Sequence, residues 1–437
     1  MRLIWFLNNL RCHDNEALTR ACAENSGTPV AAFYCFDPQF YCLDQYGFPR
    51  TGKFRAHFLL QSLRDLRQQL ADLNIPLLVQ QGPPATTIPP LIAKHGVTDI
   101  YLQQEWTRDE RSALQSLSAS PTLDSVTIHA YYDQFLIHPD DLPFAELTDL
   151  PEVFTRFRKT VEETLPVRQT LPAPAPRPAA NLTATYGSSE LPSIEALGLA
   201  QPMPDPRSAF PFAGGSTAGH QRIRDYFWHT ENITRYKQTR NGLVGTGYSS
   251  KLSPWLANGS LSAREVFWQL KAFERDVKAN EDTYWLQFEL LWRDYFKYIS
   301  LKHGDRIFAL SGIQSRTYSW HLDEEKLSEW REGRTPYDFV NANMREFAAT
   351  GWMSNRGRQN VASYWARELQ QDWRAGAAWF ESQLIDFDVH SNYGNWMYNS
   401  GVGNDPRDRH FNIPLQAEKY DPDGAYRRLW LADTTRQ

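Results

Sequence analysis

The chain has 437 residues, of which 41% are hydrophobic and 22% are charged, and its formal net charge is −5. This length predicts two to three domains with a large core, and the composition is that of an ordinary globular protein. The negative balance argues against a generally basic nucleic-acid-binding protein, although it does not exclude a local basic patch. No apolar run approaches the roughly 18 residues of a membrane span, so none is expected.

The start of the chain and its cysteines bear on the compartment. The opening sequence MRLIWFLNNLRCHD has only a short apolar run, which is not the pattern of a signal peptide. The four cysteines lack C-x-x-C spacing and fall in the first tenth of the chain, at Cys12, Cys22, Cys35 and Cys42. This distribution favours free thiols over a zinc site or a disulfide framework, and we expect a cytoplasmic protein.

Residues 1–135 alternate strand and helix patterns. Apolar runs typical of buried parallel strands occur at 3–7, 30–36, 77–80, 99–104 and 126–132. Between them we predict a helix that starts at Asn15 with Asp14 as its cap, a long amphipathic helix over 54–73, and a charged helix from Thr107. The pattern predicts a doubly wound α/β domain with a parallel sheet. The first strand is not followed by G-x-G-x-x-G, so a Rossmann dinucleotide site is not indicated.

Proline marks the next boundary. Ten of the 27 prolines fall between Pro166 and Pro211, in runs such as LPAPAPRP, which are typical of an extended connector. We place this connector at residues 136–218. After Gly219 the pattern is helical nearly to the end, so residues 219–437 are predicted to form an all-α domain. Twelve of the 15 tryptophans lie beyond residue 250, which makes this domain the unusual half.

A predicted helix over 283–301 carries a carboxylate within an aromatic stripe. Trp285, Glu289, Trp292 and Phe296 repeat at helical spacing, and Arg293 lies one residue round the helix. One interpretation is a core face in which Glu289 pairs with an arginine. The other is a pocket whose carboxylate hydrogen-bonds to a ligand.

The segment from Trp352 to Trp396 combines many polar side chains with aromatic ones. Ser354 is a predicted helix N-cap, and Asn355 and Arg358 share one face of the helix that follows. Asp386, Asp388, Asn392 and Trp396 come after that helix. Singly, such Asp and Asn residues are most often caps or turn residues. Together they favour the wall of a pocket around a polar, non-protein ligand, because buried polar groups need partners.

Residues 234–262 form a third candidate, rich in hydroxyls around Lys251 and with Gly245 and Gly247 nearby. Hydroxyl, ammonium and backbone N–H groups suit a diphosphate, but serine-rich turns are common. Basic residues outnumber acidic ones between residues 222 and 253. That excess is either a solvated face or a contact surface for a phosphate backbone.

Together these stretches resemble the photolyase/cryptochrome family, and within it the cryptochrome-DASH subgroup. The shared motifs extend along essentially the whole chain: D-N-E-A-L near the start, F-P-R-T-G-K-F-R (48–55), F-E-L-L-W-R-D-Y-F, W-M-S-N-R-G-R-Q and S-N-Y-G-N-W-x-Y-x-x-G-V-G-N-D-P-R. So many motifs in the same order make the resemblance specific.

The resemblance implies that the helical domain holds FAD. The matching cofactor residues are Tyr236, Ser249, Ser250, Lys251, Leu252, Ser253, Glu289, Arg293, Asn355, Arg358, Asp386, Asp388 and Asn392. Asn392 would lie opposite flavin N5, where a neutral amide is expected to tolerate a reduced anionic flavin. Trp396, Trp373 and Trp320 match the family's electron-transfer tryptophans, although residue type alone would make all three core aromatics.

The implied activity is blue-light-driven repair of cyclobutane pyrimidine dimers, mainly in single-stranded or looped DNA, by electron transfer from excited reduced FAD to a flipped dimer. Trp292 and Tyr398 would pack on the dimer and Glu289 would hydrogen-bond to its base edges. The remaining matches near the DNA are Gln359, Arg240 and Asn355. Tyr398 and Gln359 are typical of the subgroup that prefers unpaired lesions, and we expect a monomer.

The N-terminal domain would bind an antenna, usually 5,10-methenyltetrahydrofolate, with Glu105 as the matching carboxylate. One departure affects this expectation. The family usually has Arg and Asp where this chain has Leu7 and Asn9. Losing both members of an ion pair is easier to tolerate than losing one.

Two other functions compete with repair. A signalling photoreceptor of the same family would act through a partner, but such proteins commonly have a long tail, and only seven residues follow Trp430 here. A dark flavin oxidoreductase is disfavoured, because the nicotinamide fingerprint is missing and a tryptophan chain would serve no purpose in it.

Overall fold

The computed structural model describes residues 1–23, 27–182 and 190–432. Within these ranges the N-terminal part contains a sheet of five strands, all parallel, in the order β3-β2-β1-β4-β5. The strands are β1 Arg2–Phe6, β2 Val30–Phe36, β3 Leu77–Gln81, β4 Asp99–Gln103 and β5 Thr127–Tyr131. All five predicted strands are confirmed, and so is the doubly wound α/β fold class.

Helices cover both faces of this sheet. They are α1 Glu16–Cys22, α2 Lys53–Asp72, α3 Pro84–His95 and α4 Arg108–Ser118. Alternate residues of β1 enter opposite cores: Ile4 packs with Leu63 and Leu66 of α2, whereas Leu3 packs with Ile88 of α3. The long helix predicted over 54–73 is therefore confirmed within one residue at each end. The four cysteines are free thiols, as predicted.

The predicted cap of the first helix is wrong by one residue. Asn15 is the N-cap of α1, and its Oδ1 accepts a hydrogen bond from the backbone N–H of Leu18 at 3.0 Å. Asp14 has a left-handed backbone conformation (φ 51°), and its carboxylate turns away from the helix. That carboxylate accepts hydrogen bonds from Arg264 and Ser262 of the helical domain instead.

The Asp14–Arg264 ion pair joins the two domains in the interior of the protein. Arg264 binds both carboxylate oxygens of Asp14, at 2.8 and 3.0 Å, and lies 3.5 Å from Asp133. The backbone N–H of Leu171 in the connector also donates to Asp14, at 3.0 Å. Nearby, Gly259 of the helical domain lies so close to Asn8 that an added Cβ would be 1.9 Å from its carbonyl oxygen. Three parts of the chain therefore meet at one buried carboxylate.

The connector contains one helix, α5 Phe154–Glu162, and then runs mostly without regular structure to residue 215. Residues 183–189 of this predicted connector lie outside the described residues. The Asn181 side chain accepts from the backbone N–H of Val30 and donates to its carbonyl, at 2.9 Å each, so this part is fixed to the sheet. The connector therefore packs along the α/β domain.

The C-terminal part is helical, as predicted. Its helices are α6 Ser216–Ile223, α7 Tyr236–Thr239, α8 Ser253–Ala257, α9 Ala263–Asp276, α10 Glu281–His303, α11 Glu324–Glu332, α12 Asp338–Thr350, α13 Asn355–Ser363, α14 Trp373–Gln383, α15 Val389–Ser400, α16 Ile413–Tyr420 and α17 Ala425–Leu431. The predicted helix over 283–301 is α10, which extends two residues further at each end and begins with a capping box between Asn280 and Thr283. Across the described residues, no helix is long and apolar enough to cross a membrane.

Candidate functional site

Helices α13 and α15 form two walls of a cavity with an empty volume of about 480 Å³. Ser354 caps α13, as predicted, because its Oγ accepts from the backbone N–H of Gly357 at 3.0 Å. Seven of the predicted site residues line this cavity together: Asn355, Arg358, Gln359, Asp386, Asp388, Asn392 and Trp396. The structure therefore brings the two ends of the Trp352–Trp396 segment to one place.

Arg358 and Asp386 form the charged pair of this wall. A guanidinium nitrogen of Arg358 lies 2.9 Å from both carboxylate oxygens of Asp386, and Ser253 Oγ donates to Asp386 at 2.6 Å. The Arg358 side chain also donates to the carbonyl of Met353. These bonds tie the start of α8 to α13 and to the segment before α15, so the predicted residues of two separate stretches belong to one hydrogen-bonded unit.

Asp388 is both the cap of α15 and the partner of a buried cation. Its carboxylate accepts from the backbone N–H of Ser391 and from Lys297 Nζ, at 2.8 Å each. Burial by itself would raise the pKa of Asp388, but Lys297, His390 and Arg293 lower it well below its usual range. The carboxylate is therefore ionised at the edge of the cavity.

The cavity face of α15 carries a row of amides that we did not predict. Ser391, Asn395 and Asn399 line the cavity beside Asn392, at a spacing of four residues. Asn395 and Asn399 each donate to the backbone carbonyl four residues earlier, at 2.8 Å. Asn392 donates to the carbonyl of Ala377 at 3.0 Å. The i, i+4 repeat of polar residues ahead of Trp396 is the sequence signal that marked this face.

Glu289 and Arg240 form an ion pair between α10 and the segment that follows α7. Burial raises the pKa of Glu289, and Arg240 opposes that shift. Trp292 lies one turn further along α10, stacks on Phe154 with ring centroids 3.7 Å apart, and meets Tyr398 edge-on at 5.8 Å. The predicted substrate residues Glu289, Trp292 and Tyr398 thus share an aromatic surroundings, with Arg240 held by the carboxylate.

The basic excess between residues 222 and 253 is not a single contact surface. Arg222 is buried, and its guanidinium binds the carbonyls of Thr246, Ser249 and Ser250 at 2.9 Å each. Arg240 pairs with Glu289, and Lys237 pairs with Glu281. The interpretation as a free phosphate-binding patch is therefore wrong for these cations, because they have partners within the protein.

The Ser249–Ser253 turn instead receives its shape from Arg222 and from Lys251. Lys251 has a left-handed backbone (φ 57°), and its ammonium lies 3.3 Å from the Tyr248 ring centroid and 4.7 Å from that of Trp352. The ammonium is buried and has no hydrogen-bond partner among the described residues. Tyr236, one further predicted residue, is also buried and packs edge-on to Tyr226. Leu252 is part of the core, where it precedes α8.

The three predicted electron-transfer tryptophans grade from the interior to the surface. Trp396 and Trp373 are buried, and Trp320 is half-buried. Helix α14 comes close to Trp396, because a Cβ at Gly376 would lie 2.2 Å from its ring. Two tryptophans that sequence reasoning missed, Trp330 and Trp365, stack on each other at 5.1 Å, and Trp330 meets Trp396 edge-on at 6.1 Å. Nothing in the local pattern distinguishes them from core aromatics.

A second and larger cavity, with an empty volume of about 2270 Å³ including open solvent, lies between the α/β domain and the helical domain. Glu105 and Arg293 line it. Asn8 and Gln103 both donate to Glu105 Oε1, at 3.3 and 2.8 Å. Burial and the nearby Glu110 raise the pKa of Glu105 to about 7. Arg293 does not reach for a carboxylate here but binds the carbonyls of Gln134 and Leu256, so it bridges the domains.

The departure at Leu7 and Asn9 is accommodated locally. Asn9 is buried, and its Oδ1 accepts from the backbone N–H of Leu7 at 2.9 Å. Leu7 is half-buried, packs against the core on one face of the sheet and lines the larger cavity. The loop therefore keeps an ordered conformation with neutral side chains.

The chain matches two families described as DNA photolyase, over residues 2–179, and FAD binding domain of DNA photolyase, over residues 285–436. It is 47% identical to a cryptochrome DASH of Gloeobacter violaceus over 99% of this chain and 85% of that one. A Synechocystis cryptochrome structure superposes with a TM-score of 0.93 at 44% identity, covering 99% and 88% of the two chains. A class III photolyase of Agrobacterium tumefaciens gives 0.81 at 26%, covering 98% and 86%.

The chain therefore belongs to the photolyase/cryptochrome family, and its cofactor is FAD. The predicted resemblance to the cryptochrome-DASH subgroup is confirmed by several relatives of that name. The smaller cavity fits a flavin nucleotide, because its lining combines the Arg358–Asp386 pair with amides on α15. The buried indole N–H of Trp396 also has no hydrogen-bond partner among the described residues, which leaves a donor available beside the cavity.

Proposed function

We propose that this protein repairs cyclobutane pyrimidine dimers under blue light, mainly in single-stranded or looped DNA. The observation that carries the proposal is the group of Glu289, Trp292 and Tyr398 beside the cavity lined by Asn355, Arg358 and Asn392. FAD, when bound, supplies the light absorption and the electron. The protein supplies stacking, orientation and electrostatics.

The residues near the lesion have separate tasks in this proposal. Trp292 is held by Phe154 on one face, which fixes its orientation for stacking on a flipped base. Glu289 hydrogen-bonds to the base edges, and the raised pKa of this carboxyl favours the protonated, donating form. Gln359, Arg240 and Asn355 contact the DNA around it. Unpaired bases lower the cost of flipping by a few kcal/mol, which is the physical reason for a single-strand preference.

Replacing Glu289 with alanine tests this arrangement. We expect the quantum yield of repair to fall about 10-fold or more, because one hydrogen-bonding group at the reacting bases is lost. The measurement is loss of dimers per absorbed photon, with the bound FAD quantified by its absorbance. Glu281→Gln, in the exposed first turn of the same helix, is the matched control and keeps the parent yield. Full activity in Glu289→Ala would remove Glu289 from this role.

The proposed tryptophan chain Trp396, Trp373 and Trp320 carries electrons from the surface to the light-excited flavin. Its support is the inward grading of burial and the close approach of α14 to Trp396. We expect Trp373→Phe to photoreduce at a small fraction of the parent rate, as followed by flavin absorbance under blue light with a reductant. Trp379→Phe lies on the same helix, beside Phe48 and Arg331, and serves as the control. An unchanged rate in Trp373→Phe would show that the chain is wrongly placed.

We propose that the interdomain cavity binds an antenna chromophore, with 5,10-methenyltetrahydrofolate as the expected ligand and Glu105 as its acceptor. The pKa of Glu105 is about 7, so the carboxyl is protonated below that pH and ionised above it. Folate affinity should therefore rise up to about tenfold from pH 6 to pH 8. Equilibrium binding of the folate checks this. Glu105→Gln should abolish the pH dependence, whereas Glu163→Gln, on the exposed end of α5, should retain it; a pH-independent parent contradicts the assignment.

A further inference from the structure

The two cavities share one residue. Asp388 lines both the flavin cavity and the interdomain cavity, so its carboxylate stands in the wall that separates them. As the cap of α15 it also fixes the helix that carries Asn392 and Trp396. A change at Asp388 would therefore reach the flavin cavity through α15.

Lys297 is the ion-pair partner of Asp388 in that wall. It lines the interdomain cavity, its side chain is 4% exposed, and its Nζ donates to Asp388 at 2.8 Å. Within the part of the chain that the structure describes, Asp388 is the one carboxylate in ion-pair contact with Lys297. Burial by itself lowers the pKa of Lys297 and Asp388 opposes the shift, so charge on one member of the pair sustains charge on the other.

The other groups of the wall are neutral or lie on the interdomain side. His390 stacks on Trp106 with ring centroids 4.5 Å apart, and its pKa is held well below the usual range by burial and by Lys297. Ser300 Oγ, which contacts His390 Nδ1 at 2.6 Å, accepts from Trp106 and donates to the Lys297 carbonyl. Glu105 precedes Trp106 in the chain and faces the interdomain cavity, where the charge of Lys297 acts on it.

We propose that Lys297 is a positioning residue that couples occupancy of the interdomain cavity to ligand binding in the flavin cavity. A ligand that fills the interdomain cavity and hydrogen-bonds to Glu105 displaces water from the Lys297 side of the wall. Less water strengthens the Lys297–Asp388 attraction and holds α15 more firmly. Each ligand then tightens the binding of the other, by the same factor, because such coupling is reciprocal. This inference rests on the proposed antenna cavity, but it does not require DNA repair.

The test is FAD binding to the full-length apoprotein with and without saturating 5,10-methenyltetrahydrofolate, read by quenching of FAD fluorescence. The parent should bind FAD about fivefold tighter when the folate is present. Lys297→Gln, which keeps a donor to Asp388 but removes the charge, should bind FAD equally with and without folate. Lys297→Arg should restore the difference. Lys302→Met, on the same helix and paired with Glu152 on the other side of the protein surface, should behave like the parent.

If Lys297→Gln does not retain FAD, the double variant Lys297→Met with Asp388→Asn removes both charges and leaves no unpaired carboxylate. Coupling that persists in the charge-free variants would overturn the proposal, and so would a parent whose FAD affinity is unchanged by the bound folate. Absence of folate binding would overturn it as well. Failure of light-driven repair in a parent that shows the coupling would instead contradict the proposed function alone.

Discussion

Replacing Arg264 with methionine should lower the free energy of unfolding by about 3–5 kcal/mol, the cost typical of breaking a buried ion pair from one side. The Arg264 side chain is 5% exposed and that of Asp14 is fully buried. Methionine has a similar length but cannot donate, so the Asp14 carboxylate loses both bonds from the guanidinium. Arg11 has carbonyl partners of its own at Asp14, Asp133 and Gly259, and it is not positioned to replace Arg264.

Urea unfolding, followed by tryptophan fluorescence and circular dichroism, measures this loss. Arg275→Met is the matched control: it lies on the same helix, is 72% exposed and pairs with Asp276 at the surface. An exposed pair of this kind contributes about 0–1 kcal/mol. A loss below about 1 kcal/mol for Arg264→Met would show that the Asp14 network does not hold the domains together.

The same pair gives a pH dependence of definite sign. Burial by itself raises the pKa of Asp14, but Arg264, Arg11 and Ser262 lower it below its usual value of 3.8. A depressed acid pKa stabilises the folded state above the unfolded pKa, and this contribution is lost as the pH falls through the folded pKa. The difference in stability between the parent and Arg264→Met should therefore be full at neutral pH and shrink below about pH 4.

Replacing Arg358 with methionine should lower the affinity for FAD roughly 100-fold or more, which corresponds to about 3 kcal/mol. Asp386 is buried, and without Arg358 its remaining side-chain partner is Ser253. The carboxylate would then add uncompensated negative charge to the cavity wall. The loop that joins α8, α13 and α15 would also lose a shared contact.

Equilibrium dialysis or fluorescence titration with FAD gives the affinity, and circular dichroism shows whether the fold survives. Arg334→Met, in an exposed ion pair with Glu332 in the same domain, should bind FAD like the parent. Arg358→Met with Asp386→Asn should recover part of the loss, because no charge is then left unpaired. Parent-like binding by Arg358→Met would exclude this pair from the flavin site.

Local patterns predicted the elements well. The β2 strand occupies the predicted residues 30–36, and α2 and α10 differ from their predictions by one or two residues, because each has a strong apolar pattern. The cap at Ser354 follows from short-range chemistry and is confirmed. Asp14 was misassigned because its true partner, Arg264, lies 250 residues away. No spacing within a helix or strand contains that information.

The site shows the same division. The two ends of the Trp352–Trp396 segment meet in one cavity, as their polar and aromatic content indicates. Local spacing could also have identified Asn395 and Asn399, which repeat every four residues on α15. The burial of Arg222 beneath the Ser249–Ser253 turn and the pairing of Arg240 with Glu289 could not be predicted, because both depend on how helices pack. Charge excess along the chain is therefore a poor guide to a contact surface here.

The most direct test of the account is repair of UV-irradiated oligothymidylate by the FAD-loaded protein under blue light with a reductant, beside an irradiated duplex and dark controls. We predict light-dependent loss of cyclobutane dimers from the single strand, with slower loss or none from the duplex. Loss of dimers at equal rates from both substrates would contradict the strand preference. No light-dependent loss from either substrate would contradict repair itself and favour the photoreceptor function.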